Sequence, residues 1–349
     1  MKVRLFAAAT LLCLLANVVL AAQGPRSKGK KVVTRARGAR LVPMLPASDG
    51  IVTLDARRLT TDGLPRILGA NAPLLAKVNS AIDEIQTKSG IDLRKFDEVA
   101  VGLKITPKGQ KGADVDAVAL ASGDINAAAL ISVAKLTSNG AYREEKLAGR
   151  TVYVFTVKDV ANKTTANTAT PGIVHKAVNE MTTSIAVAAY DANLLVIGSE
   201  ARVRETLAGN THTGADITGL LNRNPAAIMN FAIKTPAGLD GMLPLGNDEL
   251  GKNLRSIQYL AGSMDMTAAG ASLNVAARTA QAEQANGLKA TLDGLQMMGT
   301  ALLGGSNKPA NQVYTRMIKS AKFSQNGNEV TFDLLVPQAD IDTLISGIK

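Results

Sequence analysis

The sequence predicts an α+β fold: antiparallel sheets built from β-hairpins, covered on one face by helices, in two similar halves. Three observations lead there. Segments with strand-like alternation come in pairs around short turns rich in Gly, Asn and Asp. Helical-period segments separate the pairs. The order strand, helix, hairpin, helix, hairpin, helix occurs twice, over about 46–209 and again over about 225–349.

The elements follow in order. LPASDGIVTLDARRL (45–59) reads as a turn, a short strand and a helix start. Two helical stretches follow, split near Asn71-Ala72-Pro73, with Leu74, Leu75, Val78, Ile82 and Ile85 at helical spacing and Gly90 as the stop. FDEVAVGLKIT (96–106) alternates as a strand, Pro107-Lys108-Gly109 opens a polar loop, and ADVDAVALASG (113–123) returns. Asp124 then caps a helix, and YREEKLAGRTVYVFTV (142–157) forms a hairpin about Ala148-Gly149. A Thr/Asn/Ala-rich loop (158–172) leads to a second hairpin, SIAVAAYDANLLVIGS (184–199), turning at 191–193, and Ser199 caps the next helix.

The second half begins after the break at Asn222-Arg223-Asn224-Pro225. It reads as a strand (226–235), a helix (248–260) and a hairpin (263–278) turning at Ala269-Gly270. A long helix capped by Thr279 follows, then a helix from Pro309 to Lys319. A hairpin at Asn326-Gly327 and a last helix with Pro337 in its first turn complete the chain. The small residues Gly287, Gly294 and Gly299 of the long helix are expected where it approaches the sheet.

The ends carry the charge. Lys2 and Arg4 precede an apolar run from Leu5 to Ala21, which reads as a cleavable export signal (1–21), with an uncleaved anchor as the alternative. Cys13 is the one cysteine and lies within it, so beyond residue 21 there is no disulfide, thiolate metal site or cysteine nucleophile. Localisation is expected to be periplasmic or extracellular. The net charge is +10, yet two of the 39 cations lie in the signal and seven in the stretch 22–40, which leaves 30 against 29 acids. The basicity therefore belongs to a tail, 22–44, expected to be disordered. Its cations Arg26, Lys28, Lys30, Lys31, Arg35, Arg37 and Arg40 could hold an anionic surface: lipid head groups, cell-wall polymer or nucleic acid. It has no aromatic residue for base stacking, so nucleic acid is the weakest of the three. The folded halves are expected at 45–224 and 225–349.

Little in the chain points to catalysis. The motif LLVIGSEARVRETLAG (194–209) joins a strand to a helix through Gly and Ser, as nucleophile elbows do. It lacks the second Gly of an elbow, and the corner recurs as ASGDINAAAL, AARTAQAEQA and LVPQADIDTL. A corner built four times with different caps is terminating helices. The histidines are His175 and His212, both in loop-like sequence, too few for a His metal cluster. Acidic pairs occur at Asp97-Glu98, Asp114/Asp116, Glu144-Glu145, Asp248-Glu249 and Asp340/Asp342, each readable as a solvated pair. Gly304-Gly305-Ser306 follows a helix and reads as its end, not a phosphate loop. No cofactor or metal is expected. On the long helix, Leu288, Leu292, Leu295, Met298 and Leu302 share one stripe beside Met297, either core or the face of an apolar-ligand groove.

The chain resembles bacterial exported domains of unknown function. The residues that carry this are Leu45-Pro46-Ala47-Ser48-Asp49 before the first strand (one residue longer than the family's opening), Gly90-Ile91-Asp92, the hairpin from Lys146 to Tyr153, and Leu195 to Glu200. The resemblance covers about 45–210, implies export and an α+β fold, and brings no catalytic residue. The leading expectation is an exported non-enzymatic binding or scaffold protein of the cell envelope; the alternatives are a carrier of an apolar, lipid-like ligand and a carboxylate-based hydrolase.

Overall fold

The structure is a computed structural model and describes residues 40–108, 113–138, 140–156, 184–221, 223–235, 249–305 and 308–347. The expected loop at 158–172, the signal, and the tail cations before Arg40 lie outside them. The strands are β1 (Gly50–Asp55), β2 (Phe96–Pro107), β3 (Ala113–Gly123), β4 (Tyr142–Leu147), β5 (Arg150–Thr156), β6 (Ser184–Asp191) and β7 (Leu194–Gly198), then β8 (Met229–Lys234), β9 (Ile257–Thr267), β10 (Gly270–Thr279), β11 (Lys322–Asn326) and β12 (Glu329–Pro337). The helices are α1 (Leu64–Leu68), α2 (Ala72–Ser89), α3 (Ala127–Thr137), α4 (Glu200–Ala208), α5 (Ala215–Leu221), α6 (Glu249–Arg255), α7 (Ala282–Leu303), α8 (Pro309–Ser320) and α9 (Gln338–Ser346).

All the strands join one sheet, in the order β11-β12-β10-β9-β8-β1-β2-β3-β7-β6-β5-β4, and every pairing is antiparallel. The protein is α+β, as expected. The halves share the sheet through β1 and β8, with Val52 opposite Phe231. Outward from that seam the chain takes the same path twice: β1-β2-β3-β7 on one side, β8-β9-β10-β12 on the other.

Local chemistry explains the punctuation. The β4–β5 turn places Ala148 and Gly149 at φ 47° and 75°, the two left-handed residues that a tight hairpin requires. α4 is capped at both ends: Ser199 Oγ accepts from Arg202 N, and Gly209, at φ 66°, donates its N–H to Glu205 O. Asn71 caps α2, accepting from Leu74 N at 3.0 Å, and Gly90 ends it.

Several junctions differ from expectation. Asn126, not Asp124, caps α3, because Asp124 is still bonded to Lys95 O and Ile125 is buried. Thr279 does not cap α7. It belongs to β10, where its N–H and hydroxyl both donate to Asn328 O, and Gln284 Oε1 instead accepts from Gln281 N. The expected helix 248–260 stops at Arg255, since Leu260 pairs with both Ile233 and Ala277 in the sheet. Pro337 precedes α9 as its N-cap residue rather than lying in its first turn. The folded body begins earlier than 45: Val42–Met44 is a 3-10 turn, and Leu41 and Leu45 are fully buried.

Helices line one face of the sheet in both halves. There α3 packs Ile131 against Phe155 and Val187, α7 packs Leu288 against Ala277 and Val330, and α9 packs Ile341 against Met266. On the other face the cover spans the first half and reaches past the seam onto β8 and β9, where Ala232 and Ala261 are buried. There Val203 and Leu207 of α4, and Ile217, Leu220 and Leu221 of α5, join Leu41 and Leu45 over Ile51, Ala100, Val118, Leu120 and Val196. The register puts Ser263, Asn274 and Asp333 in a row on that same face of the second half, where the sheet is polar.

Candidate functional site

The helical hairpin α7–α8 is where this fold leaves apolar surface unspent. α7 has 22 residues, about 33 Å at 1.5 Å per residue, and its apolar stripe meets the sheet along only part of that length. Ala285 and Leu288 are buried against Ala277 and Val330, with Leu254 and Leu260 beside them, and Leu292 is half-buried in the same cluster. From there the stripe climbs into solvent: Leu295 is 38% exposed, Met298 55% and Leu302 77%. Met297, half a turn round α7 from the stripe, and Tyr314 of α8 are exposed as well. Of the seven large apolar side chains exposed among the described residues, five lie on this hairpin. The sequence stripe is thus core at one end and surface at the other.

The hairpin is held rigidly. Val313 of α8 is fully buried, Gln296 Nε2 donates to Ile318 O (2.6 Å) and Ala321 O (2.8 Å), and Arg316 makes a two-pronged pair with Asp340 of α9. A Cβ on Gly299 would lie 3.2 Å from Ile318 Cδ1, and one on Gly287 2.8 Å from Asn253 Oδ1. These glycines serve contacts with α8 and α6 rather than with the sheet as expected, and Gly294 has nothing within 4 Å of such a Cβ. Charge on the hairpin is mixed: α7 carries Glu283 and a Lys289–Asp293 pair, and of the cations that follow Arg316 is paired with Asp340.

The residues that could have carried chemistry are occupied elsewhere. Ser199 is a helix cap, and His212 Nδ1 lies 3.1 Å from Pro43 O; His175 lies outside the described residues. Asp97 pairs with Arg57, Asp114 with Lys108, Glu144 with Lys135 and Asp340 with Arg316, while Asp342 accepts from Gln338. Asp248 lies outside the described residues. Asp116 sits opposite Lys104 across β2 and β3. Among the described residues no three His, Cys, Asp or Glu side chains are grouped to hold a metal ion. Arg40, the one tail cation described, is largely exposed, with its Nε 3.4 Å from Glu98 Oε1.

Sequence reasoning missed the networks that join distant segments. Asp55 and Glu98 are buried cross-strand neighbours; Asp55 accepts from Arg58 N, and Glu98 from Ser122 Oγ. Arg202 is buried, donates to Ser48 Oγ at 2.8 Å and pairs with Glu205, tying α4 to the segment before β1. Arg143 and Arg204 clamp Glu200, with Glu145 completing the square, and Arg143 and then Arg204 hold the Glu200 carboxyl below its usual range. Arg202–Glu205 and Glu200–Arg204 stand at ordinary helical spacing, but Arg202–Ser48, Arg143–Glu200 and Arg204–Glu145 join residues 154, 57 and 59 apart, which no sequence pattern reveals.

Glu329 is the test of such a network. Its mostly buried carboxylate accepts from Arg223 and Arg278, and the Arg223 bond chiefly holds its pKa below the ordinary value. A depressed carboxyl pKa stabilises the fold above the unfolded value, about 4.3, and that stabilisation is lost as pH falls through the folded value. Glu329→Gln is therefore expected to lower the urea midpoint at pH 7, and the gap from the parent should close in acid. A gap unchanged down to pH 3 would show that the charge is not what matters.

No family model matches the chain, and no curated protein matches it. Among solved structures, three crystal forms of TP0453 align at 9% identity: form I with a TM-score of 0.41 over 87% of this chain and 96% of that one, form IV with 0.42 over 88% and 96%, and form III with 0.42 over 88% and 98%. Similarity at that level carries no argument about function.

Proposed function

We propose that this is an exported, non-enzymatic binding or scaffold protein of the bacterial cell envelope, held to an anionic surface by its basic segment and offering α7–α8 as its contact face. We place it with the uncharacterised exported domains that its first half resembles. The observation that carries the reading is the exposed end of the α7 stripe. A chain whose candidate nucleophile caps a helix and whose charges are largely absorbed in structural pairs still leaves Leu295, Met298 and Leu302 of one helical stripe in water. Exposed apolar surface of that kind marks a contact site more often than a reaction site. Among the described residues no helix is long and apolar enough to cross a membrane. The carrier alternative would require lipid-like material to accompany the purified protein into organic solvent.

The tether has a direct test. Each cation near an anionic surface contributes about 1 kcal/mol at moderate salt. Replacing Arg26, Lys28, Lys30, Lys31, Arg35, Arg37 and Arg40 together by Gln is expected to weaken co-sedimentation with isolated envelope fraction by about two orders of magnitude or more. Raising the salt should do the same to the parent. Retention unchanged by both treatments would remove the tether.

A further inference from the structure

The oxidation chemistry open to this chain is set by which of its sulfurs solvent reaches. No cysteine lies beyond residue 21, so the sulfurs of the folded body are methionine thioethers. Their exposure is uneven. Met266 is 4% exposed, packed with Ile341 of α9, and Met44, Met229, Met264 and Met317 are half-buried, whereas Met297 is 72% and Met298 55% exposed. α7 presents both on a formed helix, backed by Val313 and by the Gln296 bonds to Ile318 O and Ala321 O, so an oxidant meets them without unfolding. They point different ways. At about 100° per residue, Met298 lies on the stripe between Leu295 and Leu302, and Met297 faces half a turn away from it. We propose that Met298 is an oxidation switch on the contact face, with Met297 its companion off that face: a peroxide converts both to sulfoxides ahead of the other described methionines, and the sulfoxide at 298 makes the stripe polar and loosens the α7 contact. The loosened contact rests on the reading of α7–α8 given above, whereas the order of oxidation follows from exposure alone.

The step is a simple oxygen transfer. A sulfur lone pair attacks one oxygen of hydrogen peroxide, the O–O bond breaks, and the departing hydroxide takes the proton of the transferred hydroxyl and leaves as water. Sulfur loses two electrons and the peroxide gains them. A flexible apolar side chain becomes a polar, chiral one, and reductases specific for each sulfoxide epimer restore it. Pressing that polar group against an apolar partner without a hydrogen bond weakens the contact by roughly tenfold or more. The fold itself is spared, because the buried part of the stripe, Ala285 and Leu288 with Leu292, lies more than a turn away. Met297 sulfoxide sits off the stripe and leaves the contact unchanged.

The experiment treats the full chain with limiting hydrogen peroxide and maps the added oxygen by peptide mass spectrometry. Retention on isolated envelope fraction is then measured in high salt, which screens the tail cations. The expected result is oxygen on Met297 and Met298 several-fold earlier than on Met264, Met266 or Met317, an unchanged urea midpoint, and a loss of retention that sulfoxide reductases reverse. Met298→Leu should keep its retention after peroxide, and Met297→Leu should lose it as the parent does. Oxidation of Met266 as early as Met298 overturns the proposed site. Full oxidation at 298 with retention unchanged overturns the switch, and so does a loss of retention that Met298→Leu fails to prevent. A lowered urea midpoint in the oxidised chain overturns it in favour of damage to the core. An untreated parent that is not retained in either low or high salt is the failure of the broader reading and takes the switch with it, while the mass map still decides the order of oxidation.

Discussion

Gly198→Ala is expected to abolish the folded state or cost it more than about 3 kcal/mol. Gly198 sits in the sheet between Val118 of β3 and Ala186 of β6, both fully buried. A Cβ there would lie 2.3 Å from Ala117 O and 2.8 Å from Val118 Cα, which are backbone atoms and cannot swing aside. The next residue, Ser199, donates its N–H to that same Ala117 carbonyl at 3.0 Å. Relieving the clash separates β7 from β3, adding the loss of ladder bonds worth about 1 kcal/mol each to an overpacking cost of about 1–3 kcal/mol. Ser199→Ala, by contrast, removes only a cap and should cost about 1 kcal/mol. Urea denaturation followed by circular dichroism, on both variants, separates these values. A Gly198→Ala protein as stable as its parent would mean that the close approach of β7 to β3 does not exist.

The second large effect divides a single helical stripe. Leu288→Ala is expected to cost about 2–5 kcal/mol, because the side chain is fully buried with Ala277 and Val330 and its removal leaves a cavity. Leu302→Ala, four turns along the same stripe, should change stability by no more than about 0.5 kcal/mol, since that side chain is mostly in water. Leu292→Ala should fall between them. The series can be read from urea midpoints at constant slope. Equal costs at 288 and 302 would show that the far end of α7 is packed, and with it the contact face would vanish.

The α+β class was legible in the sequence because hairpins and caps are local. Ala148-Gly149, Asn326-Gly327, Ser199 with Gly209, and Asn71 with Gly90 each satisfy their backbone within a few residues. Where sequence reading slipped, a distant partner decided the matter. Thr279 looks like a helix cap until Asn328 claims both its donors. Ile257 to Leu260 look helical until β8 and β10 flank them. The α7 glycines looked like sheet contacts, but the groups they approach are Asn253 and Ile318.

The sequence by itself determined the alternation of hairpins and helices, the segregation of basic charge, and the absence of cysteine beyond residue 21, because each depends on residue type and short-range order alone. Only the tertiary structure decided that both halves share one sheet through β1 and β8, that the cover on its second face runs from the first half onto β8 and β9 and leaves a polar row at β10 and β12, and that the stripe of α7 outruns the sheet beneath it. Helical periodicity records which side chains share a face. It holds no information on how far along that face a neighbour extends, and it is there, past Leu292, that apolar surface becomes available for binding.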